Sequence, residues 1–227
     1  MCGRFVLTQS SEAIADTFKM EVPDFLPRYN IAPSSAIAAI LEIDEVGKRE
    51  FVYLRWGLIP SWAKDPAISY KLINARSETV SEKPSFRYAF KHRRCVILAD
   101  GFYEWQRTEG SKAKKQPYYF TLKDSQFIAF AGLWERWESS EGDLINSCTI
   151  LTVGANELLQ PIHDRMPVIL QSKDYDVWLD RTVVRGDRLQ PLMVPYPADR
   201  MNAYPVGTLV NSPKNDVPEC VQPLSVD

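Results

Sequence analysis

Hydrophobic and polar positions alternate along much of the chain, in short runs rich in β-branched and aromatic residues. Such runs predict β-strands. The predicted strands cover residues 36–43, 50–56, 95–100, 102–106, 118–122, 127–133 and 145–153. Because they do not alternate regularly with helices, the pattern predicts an α+β fold whose core is a mixed or antiparallel, barrel-like β-sheet.

Helical spacing is confined to short segments that would flank this sheet. The predicted helices cover residues 11–19, 77–82, 85–92 and 174–179. No internal repeat, low-complexity tract or Gly/Ser linker divides the chain, so we predict that residues 1–227 form a single domain. Seven of the 16 prolines follow residue 190, which predicts an extended, loop-rich C-terminal stretch packed on that domain.

Composition places the chain among ordinary globular proteins, with 45% hydrophobic and 25% charged residues. No window approaches the run of about 18 apolar residues that a membrane-spanning helix needs, and the start lacks the layout of a signal peptide. We therefore expect a cytoplasmic protein without a membrane partner. Four widely spaced cysteines indicate reduced thiols, and two histidines without a C-x-x-C motif predict no metal site. We also expect no cofactor and a monomer.

The net charge of −2 argues against a generally polybasic nucleic-acid binder, so any basic groove has to be local. A basic cluster in two parts is the first candidate: Lys91, Arg93 and Arg94, then Lys112, Lys114 and Lys115. This cluster either extends a DNA track or is simply solvated. Residues 108–116 are typical of an exposed hairpin loop.

The residue at position 2 carries unusual chemistry. Because initiator methionine is normally removed before a small residue, we expect the mature chain to begin at Cys2. Its α-amine, with a reference pKa of about 8, and its thiol, with one of about 8.5, are then both available near neutral pH. This 1,2-aminothiol can capture an aldehyde as an imine and close a thiazolidine ring through sulfur. Alternatively, the amine acts as the base of the thiol, as in N-terminal-nucleophile hydrolases, or the cysteine is only a small residue.

Seven motifs follow one another in register along nearly the whole chain. They are MCGR at the start, RYNIAPS at 28–34, RWGLIPSWA at 55–63, INARSET at 73–79, ADGFYEW at 99–105, IHDRMP at 162–167 and VNSPKND at 210–216. In this order and spacing the chain resembles the SRAP family, the SOS-response-associated peptidases or abasic-site-processing proteins. The resemblance implies damage-linked expression, action near the nucleoid or replication fork, and a sensor that crosslinks its N-terminal cysteine to abasic sites in single-stranded DNA. The family is also described as a possible protease.

The resemblance implies catalytic roles for three residues besides Cys2. Asn74, in INAR, would orient the opened sugar, because an amide offers both a donor and an acceptor. Glu104 would shuttle protons: strand alternation places it beside Phe102 among aromatic residues, and desolvation there raises a carboxyl pKa. His163 would assist the sugar's ring oxygen during opening and help reversal of the crosslink. The residues alone leave structural alternatives open for all three. Asn74 could be a turn asparagine, Glu104 a solvent-facing residue of a strand, and His163 a structural histidine.

The resemblance also implies a DNA-binding surface. Guanidinium groups suit phosphate oxygens, and the matching arginines are Arg4, Arg76 and Arg165. The residues that would line the path of the strand are Asn30, Pro33 and Trp62. A tryptophan that stacks on a base contributes about 1–3 kcal/mol without regard to sequence, although ordinary core packing is the alternative for Trp62.

Three functional hypotheses follow. In the first, the Cys2 amine attacks the abasic aldehyde and sulfur closes the ring, with reversal and β-elimination of the strand as side activities. In the second, the chain is an N-terminal-cysteine peptidase or amidohydrolase; it lacks the Asn-Gly pair of class II glutamine amidotransferases, and only Met1 precedes Cys2, which leaves little for autoprocessing to remove. In the third, it is a non-catalytic reader of modified DNA bases.

Overall fold

The computed structural model describes residues 2–43, 47–106, 115–123, 125 and 127–224. Its strands are β1 (Phe5–Leu7), β2 (Arg28–Ile31), β3 (Ala36–Glu42), β4 (Arg49–Trp56), β5 (Asn74–Arg76), β6 (Arg94–Ala99), β7 (Gly101–Gln106), β8 (Gln116–Leu122), β9 (Ile128–Glu138), β10 (Leu144–Gly154), β11 (Arg165–Pro167), β12 (Ile169–Leu170) and β13 (Met201–Pro205). Its α-helices are α1 (Ser11–Phe18), α2 (Arg87–His92), α3 (Tyr175–Leu179) and α4 (Gly186–Leu189). Short 3-10 helices connect them.

Five of the strands close into a barrel. β4 pairs with β3, β3 with β6, β6 with β9 and β9 with β10, and β10 returns to β4. These pairings are antiparallel apart from the one between β10 and β4, which is parallel. β5, β11 and β12 extend the barrel on β10 and β9. The predicted α+β class with a mixed, barrel-like core is therefore confirmed.

A second sheet, antiparallel throughout and ordered β13-β8-β7-β1-β2, packs against the barrel. Aromatic rings fill the space between the two layers. The Phe5 ring lies 5.1 Å from Trp56 and 5.8 Å from Phe130, while Phe102 lies 5.2 Å from Phe120 and 6.0 Å from Phe130. Aromatic pairs at such distances each stabilise the fold by about 0.5–1.5 kcal/mol in addition to the effect of buried area. These pairs therefore stabilise the packing of β1 and β7 against the barrel.

The chain passes from the barrel to the second sheet at Asp100 and Gly101. A Cβ at Gly101 would lie only 2.4 Å from the Tyr119 ring, so a larger residue does not fit there. Asp100 accepts a hydrogen bond of 2.6 Å from the Thr8 hydroxyl, and Gly101 pairs with Val6 of β1. These contacts fix the register of β7 beside β1.

Helix α1 follows the predicted pattern. The Ser10 hydroxyl accepts from the Ala13 amide at its start, and Ile14 and Phe18 are buried. By contrast, the predicted helix at 77–82 is wrong, because this segment forms turns. The amide of Ser77 donates to Thr152 across the sheet, which draws the chain away from a helical path.

Arg94 of the predicted basic cluster is buried and structural. Its guanidinium donates to the backbone carbonyls that end α2 and α3, those of Phe90, Lys91, Trp178 and Asp180, at 2.5–2.8 Å. Arg93 pairs with Glu135 and lies over the Trp134 ring. Lys112, Lys114 and most of the predicted loop at 108–116 lie outside the described residues.

Candidate functional site

Cys2 lies buried just before β1, where β5 approaches it from the barrel. The Nδ2 of Asn74 donates a hydrogen bond of 2.9 Å to the carbonyl oxygen of Cys2. Parallel pairing of Asn74 with Ile150 of β10 holds β5 in this position. The Oδ1 of Asn74 is buried and accepts no hydrogen bond within the described part of the chain. An amide acceptor beside the N-terminal segment therefore remains to be satisfied by a donor.

Glu104 lies on β7, next to β1, with only 3% of its surface exposed. Burial raises the pKa of this carboxyl group to about 7. Burial and, after it, the negative charge of Glu104 also raise the pKa of the Cys2 thiol. A carboxyl group that changes its protonation state near neutral pH is thus electrostatically coupled to the thiol of Cys2.

His163 lies in the turn between β10 and β11. This turn is closed by hydrogen bonds from the His163 amide to Leu159 and from the Ala155 amide to Asp164. The imidazole Nδ1 accepts a hydrogen bond of 3.0 Å from the backbone amide of Arg165. After burial, the charge of Asp164 also contributes to the raised pKa of Glu104, so the turn and β7 interact electrostatically.

The second sheet and β5 of the barrel thus bring Cys2, Asn74 and Glu104 together, with the His163 turn electrostatically coupled to them. The arrangement combines a thiol, an amide that can donate and accept, and a carboxyl group poised for proton transfer at neutral pH. Such a set supports general acid–base chemistry at a nucleophile.

Arg4, which directly precedes β1, is hydrogen-bonded to Asn30 of β2. The guanidinium of Arg4 donates to Asn30 Oδ1 at 2.9 Å and to the carbonyl of Val210 at 2.8 Å. Asn30 is almost fully buried, and its Nδ2 donates to the carbonyls of Ser212 and Asn215 in the C-terminal segment. Asn30 therefore holds Arg4 in place and does not itself present a surface to a strand.

Arg165 and Arg76 lie on neighbours of β10 and flank the same acid. The Arg165 guanidinium binds both carboxylate oxygens of Glu78, at 2.6 and 2.9 Å, and donates to the carbonyl of Thr152. Arg76 is exposed, and its charge acts on Glu78. Hydrogen bonding from Arg165 is the main cause of the lowered pKa of Glu78. In the protein without DNA, the Arg165 guanidinium is thus bound by the carboxylate of Glu78.

Trp62 and Pro33 lie on two loops beside the barrel. Trp62 is 58% exposed, so it is not a core residue. Its loop is anchored by the Trp137 indole, which donates to the Ala63 carbonyl at 2.7 Å. Pro33 is half-buried in the turn between β2 and β3, which the Ser34 amide ties to the end of β4.

The structure adds residues that sequence reasoning did not single out. Trp105 lies with its ring 5.9 Å from the Arg4 guanidinium, and its indole donates to Asn211 at 2.7 Å. Together with Lys115 these residues line a cavity of about 400 Å³. Glu78, which binds Arg165, is another residue that the sequence did not single out. The motifs ADGFYEW, VNSPKND and INARSET contain Trp105, Asn211 and Glu78, but their contacts join distant parts of the chain and leave no local signal.

A family model described as SOS response associated peptidase (SRAP) matches residues 1–213. This chain belongs to the SRAP family. The SRAP chain is 48% identical to the abasic site processing protein YoqW of Bacillus subtilis over 226 residues, which cover 98% of this chain and 99% of that protein. It is 35% identical to the abasic site processing protein HMCES of Mus musculus over 240 residues, which cover 90% of this chain and 67% of that protein. A solved structure of a Bacteroides thetaiotaomicron protein matches with a TM-score of 0.85 and 26% identity, covering 99% of this chain and 100% of that one.

Within residues 2–43, 47–106, 115–123, 125 and 127–224, no group of three or more histidine, cysteine, aspartate or glutamate side chains is placed to hold a metal ion. Over the same ranges, none of the helices combines the length and apolar character needed to cross a membrane.

Proposed function

We propose that this protein processes abasic sites in single-stranded DNA by forming a covalent thiazolidine crosslink between Cys2, freed of Met1, and the ring-opened sugar. Relatives that cover nearly the whole chain are named abasic site processing proteins. The observation that carries the proposal is the coupling of the Cys2 thiol to Glu104, whose pKa is about 7, with the Asn74 amide bonded to the same cysteine.

The proposed chemistry begins with ring opening of the sugar. The bond between C1′ and O4′ breaks, O4′ takes its electron pair and a proton from protonated His163, and the Glu104 carboxylate takes the proton of the 1′-hydroxyl. The Cys2 amine then adds to the aldehyde carbon, and loss of one water gives an imine. Sulfur adds to the imine carbon, and the thiol proton passes to nitrogen. The Oδ1 of Asn74 accepts a hydrogen bond from the opened sugar.

In this proposal the arginines bind the phosphate backbone. Arg4 is held by Asn30 and Val210 beside the cavity that Trp105 lines, and exposed Arg76 lies beside Glu78. Arg165 reaches a phosphate by sharing or leaving Glu78. Trp62 offers an exposed indole for base stacking, and Pro33, in the turn between β2 and β3, lines the path of the strand.

The test is the intact mass of the purified protein after incubation with single-stranded DNA that contains one abasic site. We expect a heat-stable adduct whose mass equals that of the Met1-free protein plus DNA, less one water. Cys2→Ala should give no stable adduct. Cys148→Ala, which changes a buried thiol of β10, should form it as the wild type does. Intact DNA without an abasic site is the substrate control.

Cys2→Ser separates the two halves of the chemistry. It retains the amine, so it can form an imine and release the strand by β-elimination, but an oxazolidine hydrolyses readily. We therefore expect cleavage of the abasic strand without a stable adduct. An undiminished stable adduct from this variant would refute the thiazolidine.

Failure of correctly trimmed wild-type protein to form any adduct would reject the crosslink. The other two hypotheses are then told apart by noncovalent binding. A reader of modified bases binds a modified-base oligonucleotide in the Cys2→Ala form and prefers it to an abasic one. An N-terminal-cysteine peptidase or amidohydrolase shows no such preference and loses amide hydrolysis in the same variant.

A further inference from the structure

The Nδ1 atom of His163 has two polar neighbours that it cannot satisfy at once. The backbone amide of Arg165 donates a hydrogen bond of 3.0 Å to it, and the Asp164 Oδ1, which can only accept from it, also lies 3.0 Å away. A neutral imidazole nitrogen either accepts a hydrogen bond or carries a proton. When Nδ1 accepts from Arg165, the proton is on Nε2. When Nδ1 carries a proton, it donates to Asp164 and loses the bond from Arg165.

The two neighbours differ in how firmly they are held. The amide of Arg165 belongs to β11, where Arg165 pairs with Gly154 of β10, and its side chain is bound by Glu78 and Thr152. The Asp164 carboxylate is 87% exposed, whereas the His163 side chain is 27% exposed. A fixed donor therefore competes with an adjustable acceptor for one ring nitrogen.

Proton transfer at Nε2 needs the proton on Nδ1. An imidazolium that gives up its Nε2 proton becomes the neutral form protonated on Nδ1, and that form bonds to Asp164 and not to the Arg165 amide. Carboxylates that orient a histidine in this way hold the correct tautomer and stabilise the imidazolium. Nδ1 faces the backbone of its own turn, so Nε2 lies on the opposite edge of the ring.

We propose that Asp164 is a positioning residue for His163: it binds the Nδ1 proton while Nε2 exchanges a proton with the substrate, and the Arg165 amide selects the Nε2–H tautomer at rest. This inference rests on the proposed function for its substrate, an abasic sugar. In ring opening, the Nε2 proton passes to O4′ as the bond from O4′ to C1′ breaks, and the Nδ1 proton stays bonded to Asp164. In reversal, the proton on O4′ returns to Nε2 as the bond between O4′ and C1′ forms again.

Other charged groups act on this turn. Glu104 on β7 interacts electrostatically with Asp164. On the barrel side, Arg165 carries a positive charge that Glu78 neutralises. A titration of His163 therefore has to be compared between variants that leave Glu104, Arg165 and Glu78 in place.

Nitrogen-15 NMR of the free protein tests the tautomer directly. The chain has two histidines, and a His92→Gln variant assigns the remaining signals to His163. At high pH we expect an unprotonated Nδ1 and a protonated Nε2. Asp164→Asn should lower the midpoint of the His163 titration by about half a pH unit, a modest shift because solvent screens an exposed carboxylate. Asp164→Glu should restore the midpoint, and Asp199→Asn, which removes an exposed charge elsewhere, should leave it unchanged.

The adduct assay then tests the role in the reaction. For Asp164→Asn we expect adduct formation about threefold slower at neutral pH, with a pH profile displaced in the same direction as the NMR midpoint. A resting Nδ1–H tautomer, or a midpoint and pH profile of Asp164→Asn that match those of Asp199→Asn, would overturn the inference. If wild-type protein forms no adduct, the proposed function fails, while the NMR result still decides whether Asp164 and Arg165 compete for Nδ1.

Discussion

Glu104→Gln should make the protein more stable than the wild type at neutral and alkaline pH, by a margin that grows as the pH rises to about 7 and is then constant. Burial raises the pKa of Glu104 from 4.5 to about 7, so the folded state binds this proton more tightly than the unfolded state does. The resulting stability is present below pH 4.5, falls as pH rises, and levels off above about pH 7. At about 1.4 kcal/mol per pKa unit, the wild type loses about 3 kcal/mol across this window. Glutamine does not ionise and escapes that loss.

Urea unfolding of the two proteins between about pH 5 and pH 9 measures this effect. The difference in free energy of unfolding should increase by about 2–3 kcal/mol over that range, most of it below pH 7. Asp100, whose pKa burial raises to about 6, titrates in the same window but is present in both proteins and cancels. Glu138→Gln, at an exposed position of β9, is the matched control. A Glu104→Gln difference that stays constant with pH would refute the reasoning.

Three other substitutions test the surface and the core. Arg4→Ala should weaken binding to undamaged single-stranded DNA and reduce the slope of log affinity against log salt by about 0.7, as loss of one phosphate contact predicts. In the same anisotropy assay, Glu78→Gln should strengthen binding, because it removes the carboxylate that occupies Arg165; weaker binding would contradict this. Arg94→Met should lower the free energy of unfolding by at least about 3 kcal/mol in urea, because four backbone carbonyls, two of them in fully buried hydrogen bonds, lose their charged donor. A loss below about 1 kcal/mol would show that these carbonyls find other donors.

Local patterns predicted the five barrel strands because each of them contains a run rich in β-branched, aromatic and other apolar side chains. The strand predicted at 50–56, for example, is β4 at Arg49–Trp56. Closure of the barrel depends on the parallel pairing of β4 with β10, between segments far apart in the chain. Register between distant segments is set by tertiary packing, so neither periodicity nor propensity contains it.

The environment of Glu104 could be anticipated in part. Alternation on β7 places it on the side of Phe102, which packs into the aromatic layer against the barrel. The opposite side of β7 is covered as well, because Tyr103 packs with Val210 and Cys220 of the C-terminal segment. No local pattern predicts this second cover. Glu104 itself is buried because it shares the barrel side of β7 with Phe102, so the solvent-facing glutamate that the sequence alone left open does not occur.

The arginines show most clearly where sequence reasoning stops. In sequence they are equivalent cations, but each has different partners in the folded protein. The guanidinium of Arg94 binds carbonyls at helix ends, and that of Arg165 binds Glu78. The guanidinium of Arg4 binds Asn30 and the carbonyl of Val210. Arg76 remains exposed. Because the net charge is −2 and several arginines are already paired, we expect noncovalent binding of a strand under the proposed function to be weak and sensitive to salt. A covalent bond at Cys2 removes the need for tight binding, because retention then depends on the stability of the thiazolidine and no longer on the number of available guanidinium groups.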